Sequence, residues 1–580
     1  MMSIYRASAL ALLLNFAAGM SPLLAAEEPP HHTDNIHVLS DQDAALYREI
    51  FDLQESGRWS AADARISQVE DNILLGYVHF QRYMHPTAYR SSYAELKRWM
   101  AYYADHPQAN KVYRLAMKRR PRNASPPVRP ISRKWRSAME RELHPDLIAD
   151  YQKTSKPRLR RIEGRVRFLA NKNRAMQART EIDRHLKRGV ITERQHDRMQ
   201  SWIAASFYYQ GYVDTAEKLA SEAAARHGES AVLAHWISGL IAFRKGDVAT
   251  AHDHFTKMSA VPYQEDGLRS AAGFWAARTA LATGAAADIA PNLEIAAAFP
   301  FTFYGQLALA QLGQDHDYQW ETPTITIAKF ETLAAEKPGV KRAVALAEAG
   351  RRVDADLELR WANGDLPPEM ADDILAVAAL FDFPAAQIDI ALSSDVEHRA
   401  ASLFPVPTYV PEGGFKVDRA LLYALMRQES KFKTDATSRV GARGLMQLMP
   451  RTASYIAKDR SLRQRRGRNR LYDPAFNMKL GQSYVSYLMD NAVKGDLFHL
   501  AAAYNGGPGN LRRWKRKMDI DDPLLFIETI PNRESRDFVE TVLTNFWVYR
   551  ARLGQTAPSR AKVAAGELPL YEALDQIAGD

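Results

Sequence analysis

From about residue 36 to residue 390 the chain reads as amphipathic helix with scarcely a strand signal, and it repeats. "SWIAASFYYQGYVDTAEKLASEAA" is followed by "AHWISGLIAFRKGDVATAHDHF", which aligns Trp202 with Trp236, Gly211 with Gly246 and Ala216 with Ala251. The offset of 34–35 residues is the period of stacked helical hairpins. Trp275, in "SAAGFWAARTALATGAA", marks a further hairpin. One hairpin cannot bury its apolar face alone, so neighbours must stack into a superhelix. The expectation is an all-α protein with an N-terminal α-superhelix, a solenoid of helical hairpins, over residues 27–390.

The flanks set the boundaries. The chain opens "MMSIYRASALALLLNFAAGMSPLLAAEEPP", with Arg6 ahead of an apolar stretch and the small pair Ala25-Ala26 before Glu27. That layout predicts a secretory signal peptide over residues 1–26, leaving a mature chain that starts near residue 27. The apolar stretch falls short of the roughly 20 residues that span a bilayer, so no membrane anchor is expected. The sequence has no cysteine, which excludes thiolate chemistry and attachment of lipid to an N-terminal cysteine. The expected state is a soluble exported protein, periplasmic in a Gram-negative source. "FPVPTYVPEGGF", residues 404–415, concentrates Pro and Gly and predicts a linker over 391–415. Residues 416–555 form a second domain, and 556–580 a tail with no clear signal.

Net charge is +9 on 580 residues, which suits an anionic partner: nucleic acid, anionic lipid or an acidic wall polymer. Two basic runs stand out. "KRRPRNASPPVRPISRKWR", residues 118–136, carries four prolines and cannot be one helix. "RQRRGRNR", residues 463–470, is a short Arg-rich loop. Such runs are the footprint of nucleic-acid binding, but an export signal conflicts with that partner. A solvated loop or contact with an anionic polymer remains.

The chemistry lies in the second domain. "VDRALLYALMRQES" places Val417, Ala420, Leu421, Ala424, Leu425 and Gln428 on one helical face, and Glu429 where that stripe ends. Apolar neighbours and the partial negative charge of a helix C-terminus both disfavour the carboxylate. A carboxyl still protonated near neutral pH is what a general acid for glycosidic cleavage requires. "SRVGARGLMQLMP" follows, with Gly441 and Gly444 flanking a turn, and Met446 and Met449 spaced as core residues. "AAYNGGPGN" makes a tight turn with Tyr504 and Asn505 at its lip, and "ETIPNRESRDFV" carries Glu528 and Glu534.

Together, in this order and spacing, these four segments resemble the soluble lytic transglycosylase family, whose catalytic domain is lysozyme-like. "FPFTFYGQLALAQLG", residues 299–313, is similar to a segment those proteins carry near the end of their superhelical domain. The resemblance implies a lysozyme-like, mainly helical catalytic domain over 416–555. It implies that Glu429 is the sole catalytic acid/base. Ser438 resembles the serine that contacts the sugar; Gln447 and Met449 resemble cleft residues. Tyr504 is similar to the tyrosine near the reacting sugar, with Asn505 fixing its turn. Glu528 and Glu534 sit in the segment that closes the cleft, and either could bind substrate. Two departures are Gly506, alanine in many relatives, and the strongly basic loop 463–470.

The implied reaction cleaves the MurNAc–GlcNAc β-1,4 bond of peptidoglycan glycan strands to leave a 1,6-anhydro-MurNAc end, with neither metal nor cofactor. One alternative is a lysozyme-type hydrolase, for which Asp435, Glu528 and Glu534 are the candidate second carboxylates. Another is a non-catalytic wall-binding scaffold. The superhelix is expected to place substrate, so a fragment from about residue 404 should retain some cleavage.

Overall fold

A computed structural model describes residues 36–132, 156–262, 264–364, 366–394, 396 and 399–575. The expected signal peptide lies outside the described residues. Among those residues the only β features are the isolated bridges Thr437–Arg443, Arg443–Leu448 and Asp496–Leu570. The chain is all-α, as expected.

The repeat positions become hairpins for physical reasons. Helix Glu193–Gln210 ends at Gly211 with φ +90°. Gly246, just beyond helix Val232–Arg244, has φ +81°. Both are left-handed stops that glycine adopts without a Cβ penalty. Ala216 and Ala251 open the return helices Val213–His227 and Val248–Ser259 and are fully buried. Trp275, on Asp266–Thr283, is also fully buried and meets Trp236 edge-on at 6.1 Å. Successive hairpins thus share one core through the aromatic positions of the repeat.

The N-terminal hairpins return to a later part of the array. Glu348 accepts hydrogen bonds from the backbone N–H groups of Val38 (3.0 Å) and Leu39 (2.9 Å). The Trp361 indole donates to the Asp105 carbonyl at 2.7 Å. Glu358, fully buried, accepts from the Tyr77 hydroxyl and from Arg342. A buried carboxylate needs such partners to be tolerated. Two parts of the chain some 240–310 residues apart are therefore fastened together by polar contacts.

The segment expected to be a linker is a strap. Leu403, Phe404 and Pro407 are buried. The Leu403, Pro405 and Pro407 carbonyls accept hydrogen bonds from Arg427, Tyr549 and Tyr423. Proline keeps Pro405 and Pro407 out of helix while leaving their carbonyls free to accept.

The junction between superhelix and second domain is built like a core. Phe303 stacks on Trp547 (5.4 Å, 21°) and Phe301 on Phe404 (5.7 Å, 14°). The Tyr208 hydroxyl lies 2.9 Å from the Thr529 hydroxyl, Arg278 pairs with Asp522, and Lys433 pairs with Asp389 at 2.8 Å. Phe301, Phe303 and Tyr304 all come from "FPFTFYGQLALAQLG", so that segment's role here is to seat the second domain.

The tail packs against both domains: helix Pro558–Ala564 lies on superhelix helix Phe303–Gln311, and the residues after it dock on the second domain. Helix Pro558–Ala564 buries Val563. Asp418, fully buried, accepts from Arg550 and from the backbone N–H groups of Leu574 (3.1 Å) and Asp575 (2.9 Å). The basic run 118–136 is described only to residue 132. Within that part, Arg119 donates to Ser91, and the Ser125 carbonyl accepts from Tyr93.

Candidate active site

Helix Arg419–Ser430 carries Glu429 at its last turn. It packs along the 20-residue helix Arg533–Arg552. Ala420 through Met426 are all buried, so the helix is central rather than one-faced. Beyond Ser430, Lys431 (φ +50°) and Phe432 (φ +60°) both adopt left-handed backbone. Each costs about 1–2 kcal/mol in a non-glycine residue. Phe432 is buried, and its packing holds the chain in this turn. Strain of this kind collects at functional sites.

Glu429 is half-buried, and among the described residues no hydrogen bond or ion pair engages its carboxyl. Burial, with the like charge of Glu534 adding to it, raises its pKa to about 8. A carboxyl with this surround holds its proton at neutral pH.

Tyr504 lies within the electrostatic reach of Glu429. Its hydroxyl donates to the Met446 carbonyl at 2.8 Å, and its ring stacks on Phe538 at 6.2 Å. Burial and the adjacent Glu429 hold the phenol well above its ordinary pKa, so it stays neutral. Asn505 accepts from the Ser535 hydroxyl at 2.6 Å, which ties the Tyr504 turn to the first turns of helix Arg533–Arg552. Gly506 leaves room for Trp514, whose ring atoms would lie 2.6 Å from a Cβ there. This accounts for glycine at that departure from the family pattern.

Ser438 and Gln447 sit in the small bridged loop. The Ser438 hydroxyl accepts from the Ala442 N–H at 3.0 Å. Gln447 (φ +45°) donates from its side-chain amide to the Gly444 and Ala436 carbonyls. Both side chains brace their own loop and are only partly exposed. The two methionines diverge: Met446 is fully buried, while Met449, capping helix Pro450–Ile456, is 38% exposed.

The two glutamates of the closing segment separate. Glu534 is exposed in the first turn of Arg533–Arg552 and acts electrostatically on Glu429. Glu528 is 5% exposed and accepts from the Tyr304 hydroxyl of the superhelix. Its surroundings are a domain junction, shared with Arg536 and Glu540, rather than an open groove. Asp435 is exposed, and its charge acts on Arg360 of the superhelix.

Burial raises the pKa of Glu528, so its folded carboxyl binds a proton more tightly than the unfolded chain's, near 4.3. Stability from such a group is full below the unfolded value and is lost as pH rises through the folded one. Glu528→Gln should therefore flatten the decline in melting temperature as pH rises from about 4.3. Thermal melts of both proteins across that range provide the check.

Asn477 was not singled out from sequence, yet it organises the loop. Fully buried on helix Pro474–Leu488, it accepts from the Met446 N–H (2.8 Å) and donates to the Arg443 (3.0 Å) and Leu471 (2.8 Å) carbonyls. Its signal was a lone amide in the apolar stretch "PAFNMKLG". Gly444 lies against it: a Cβ there would come within 2.1 Å of the Leu471 carbonyl and 2.4 Å of the Asn477 amide. Gly444 also has φ +75°. The glycine thus serves a close approach within the protein. Gly444→Ala should cost at least about 2 kcal/mol, read as a lowered denaturant midpoint.

Among the described residues no group of three or more His, Cys, Asp or Glu side chains is arranged to hold a metal ion. No described helix is long and apolar enough to cross a membrane.

The architecture is a helical superhelix joined to a lysozyme-like helical domain, with the raised-pKa carboxyl of Glu429 at the end of a central helix of the latter. Residues 411–524 match the family described as Transglycosylase SLT domain. The soluble lytic murein transglycosylase of Salmonella typhimurium is 37% identical over 143 residues, 24% of this chain and 22% of that one. That of Escherichia coli K12 is 36% identical over 142 residues, with the same coverage. The matched stretch thus spans about a fifth of those relatives' length. Over the whole fold, the 70 kDa soluble lytic transglycosylase from Escherichia coli superposes with a TM-score of 0.55 at 16% identity, covering 89% of this chain and 97% of that one. The lytic transglycosylase Slt from Pseudomonas aeruginosa gives 0.52 at 19%, covering 90% and 88%.

Proposed function

We propose that this chain cleaves the MurNAc–GlcNAc β-1,4 bond of peptidoglycan without consuming water, leaving a 1,6-anhydro-MurNAc end, and that it works in the periplasm. The observation that carries the reading is Glu429: a half-buried, unpartnered carboxyl with its pKa near 8, in a segment that matches a transglycosylase domain.

The glycosidic oxygen needs a proton to leave, and protonated Glu429 supplies it. Cleavage leaves an oxocarbenium-like muramyl centre. Glu429, now ionised, takes the proton of the muramyl 6-hydroxyl while that oxygen bonds to C1 of the same sugar. The proton returns to Glu429, so the cycle balances. Intramolecular attack can reach effective molarities of about 10⁵–10⁸ M when the geometry is right, which lets it outrun water. Glu534, exposed beside Glu429, favours the protonated resting acid through its like charge and is the better placed of the two closing glutamates to meet substrate. Tyr504, with Ser438, Gln447 and Met449, would hold the sugar; Asn505 would hold Tyr504.

Mass spectrometry of sacculi digested by the purified protein tests the reading. Anhydro ends support it. Ends heavier by one water would replace it with the hydrolase, for which Glu534 is the carboxylate nearest in electrostatic terms to Glu429.

A further inference from the structure

The aromatic surface near Glu429 continues past Tyr504. Tyr504 lies 5.4 Å from Tyr484, Tyr484 stacks with Tyr487 (6.5 Å, 15°), and Tyr487 meets Tyr455 edge-on (5.6 Å, 76°). Tyr484 and Tyr487 are one turn apart on helix Pro474–Leu488. Tyr455 stands near the end of helix Pro450–Ile456, whose start is capped by Met449. The ring row and that short helix therefore lead the same way, from Met449 outward. Six residues at 1.5 Å each advance about 9 Å.

Tyr455 is 62% exposed, and its ring packs edge-on against Tyr487. An exposed ring packed against a neighbour's edge offers an apolar face and a polar rim. Basic groups surround it. Arg512, exposed on helix Pro508–Met518, acts on Tyr487. Arg463 of the Arg-rich loop donates to Ser454, next to Tyr455, at 3.1 Å. That loop is tightly built: a Cβ on Gly467 would lie 2.2 Å from the Ser461 carbonyl. Arg465 and Arg466 beside it are exposed.

We infer that Tyr455 and Tyr487, with Arg512, form a distal subsite for the glycan strand, rings against sugar C–H faces and the guanidinium on a stem-peptide carboxylate. The inference rests on the proposed function. Continuity with the Tyr504 end of the site and the charge of the surround single out this occupant.

Kinetics of the full chain on long glycan strands and on the shortest cleavable fragment test it. Tyr455→Ala should raise KM for long strands about tenfold, the loss of roughly one aromatic contact, with kcat unchanged and little change on the short fragment. Tyr455→Phe should restore most of the affinity. Arg512→Ala should raise KM on strands bearing stem peptides but not on strands stripped of them. Equal KM for wild type and Tyr455→Ala on long strands, or a kcat loss shared by both substrates with a lowered melting temperature, overturns the subsite. A wild-type protein that cleaves neither substrate overturns the proposed function, and the subsite with it.

Discussion

Replacing Glu429 with glutamine is expected to abolish cleavage, by about 10³–10⁴-fold or more, while glycan binding survives. General acid–base catalysis contributes about 10²–10⁴-fold, and here one group serves both proton transfers. The amide matches the carboxyl in shape but can neither give the first proton nor accept the second. The wild-type pH profile should report the same group. The acid is active when protonated, so the rate should fall about tenfold per unit once pH passes about 8. Stability should move the same way. The pKa of Glu429 is raised in the fold, so the stability it contributes is full below about 4.3, the unfolded value, and is lost as pH rises through about 8. Glu429→Gln should therefore melt higher than the wild type at alkaline pH. A variant that is inactive and equally sensitive to alkali would place the raised pKa on another group.

Asp418→Ala should destabilise the fold by roughly 3–5 kcal/mol. Removing the carboxylate strands Arg550, which is almost fully buried, and releases the backbone N–H groups of Leu574 and Asp575. Arg550 would keep only neutral acceptors, the Gln555 side chain and the Glu572 carbonyl. The tail from about residue 566 should become a preferred site of proteolysis, because the carboxylate is what holds the Leu574 and Asp575 N–H groups. A denaturant midpoint near that of the wild type, with the tail still protected, would contradict the docking of that segment.

How far sequence reaches is visible at particular residues. Glu429 was legible because an apolar stripe that ends in a carboxylate is a local pattern, and local patterns survive without knowledge of partners. Gly211 and Gly246 were legible as repeat positions, because an offset repeated along one chain needs no knowledge of partners; that they are left-handed helix stops came from the structure. Asn477 was not, because its three partners come from residues 443, 446 and 471, and only the fold puts them around one amide.

The closing glutamates show the same division. In sequence Glu528 and Glu534 are equivalent, six residues apart in one motif. Helix Pro523–Thr529 turns the first into the Tyr304 junction, and the start of Arg533–Arg552 leaves the second beside Glu429. The Pro-rich stretch before residue 416 and the tail after 556 carry no periodicity. Their backbone groups are satisfied by distant side chains, Arg427, Tyr549 and Asp418 among them, so they looked like linker and tail but are built into the domain. By itself, then, the sequence determined the helices, their hairpin repeat and the place of Glu429 at a helix end, all set by spacing along one chain. The tertiary structure decided which carboxylate lies beside Glu429, what the glycines make room for and where one domain ends, since each depends on groups that meet only after folding.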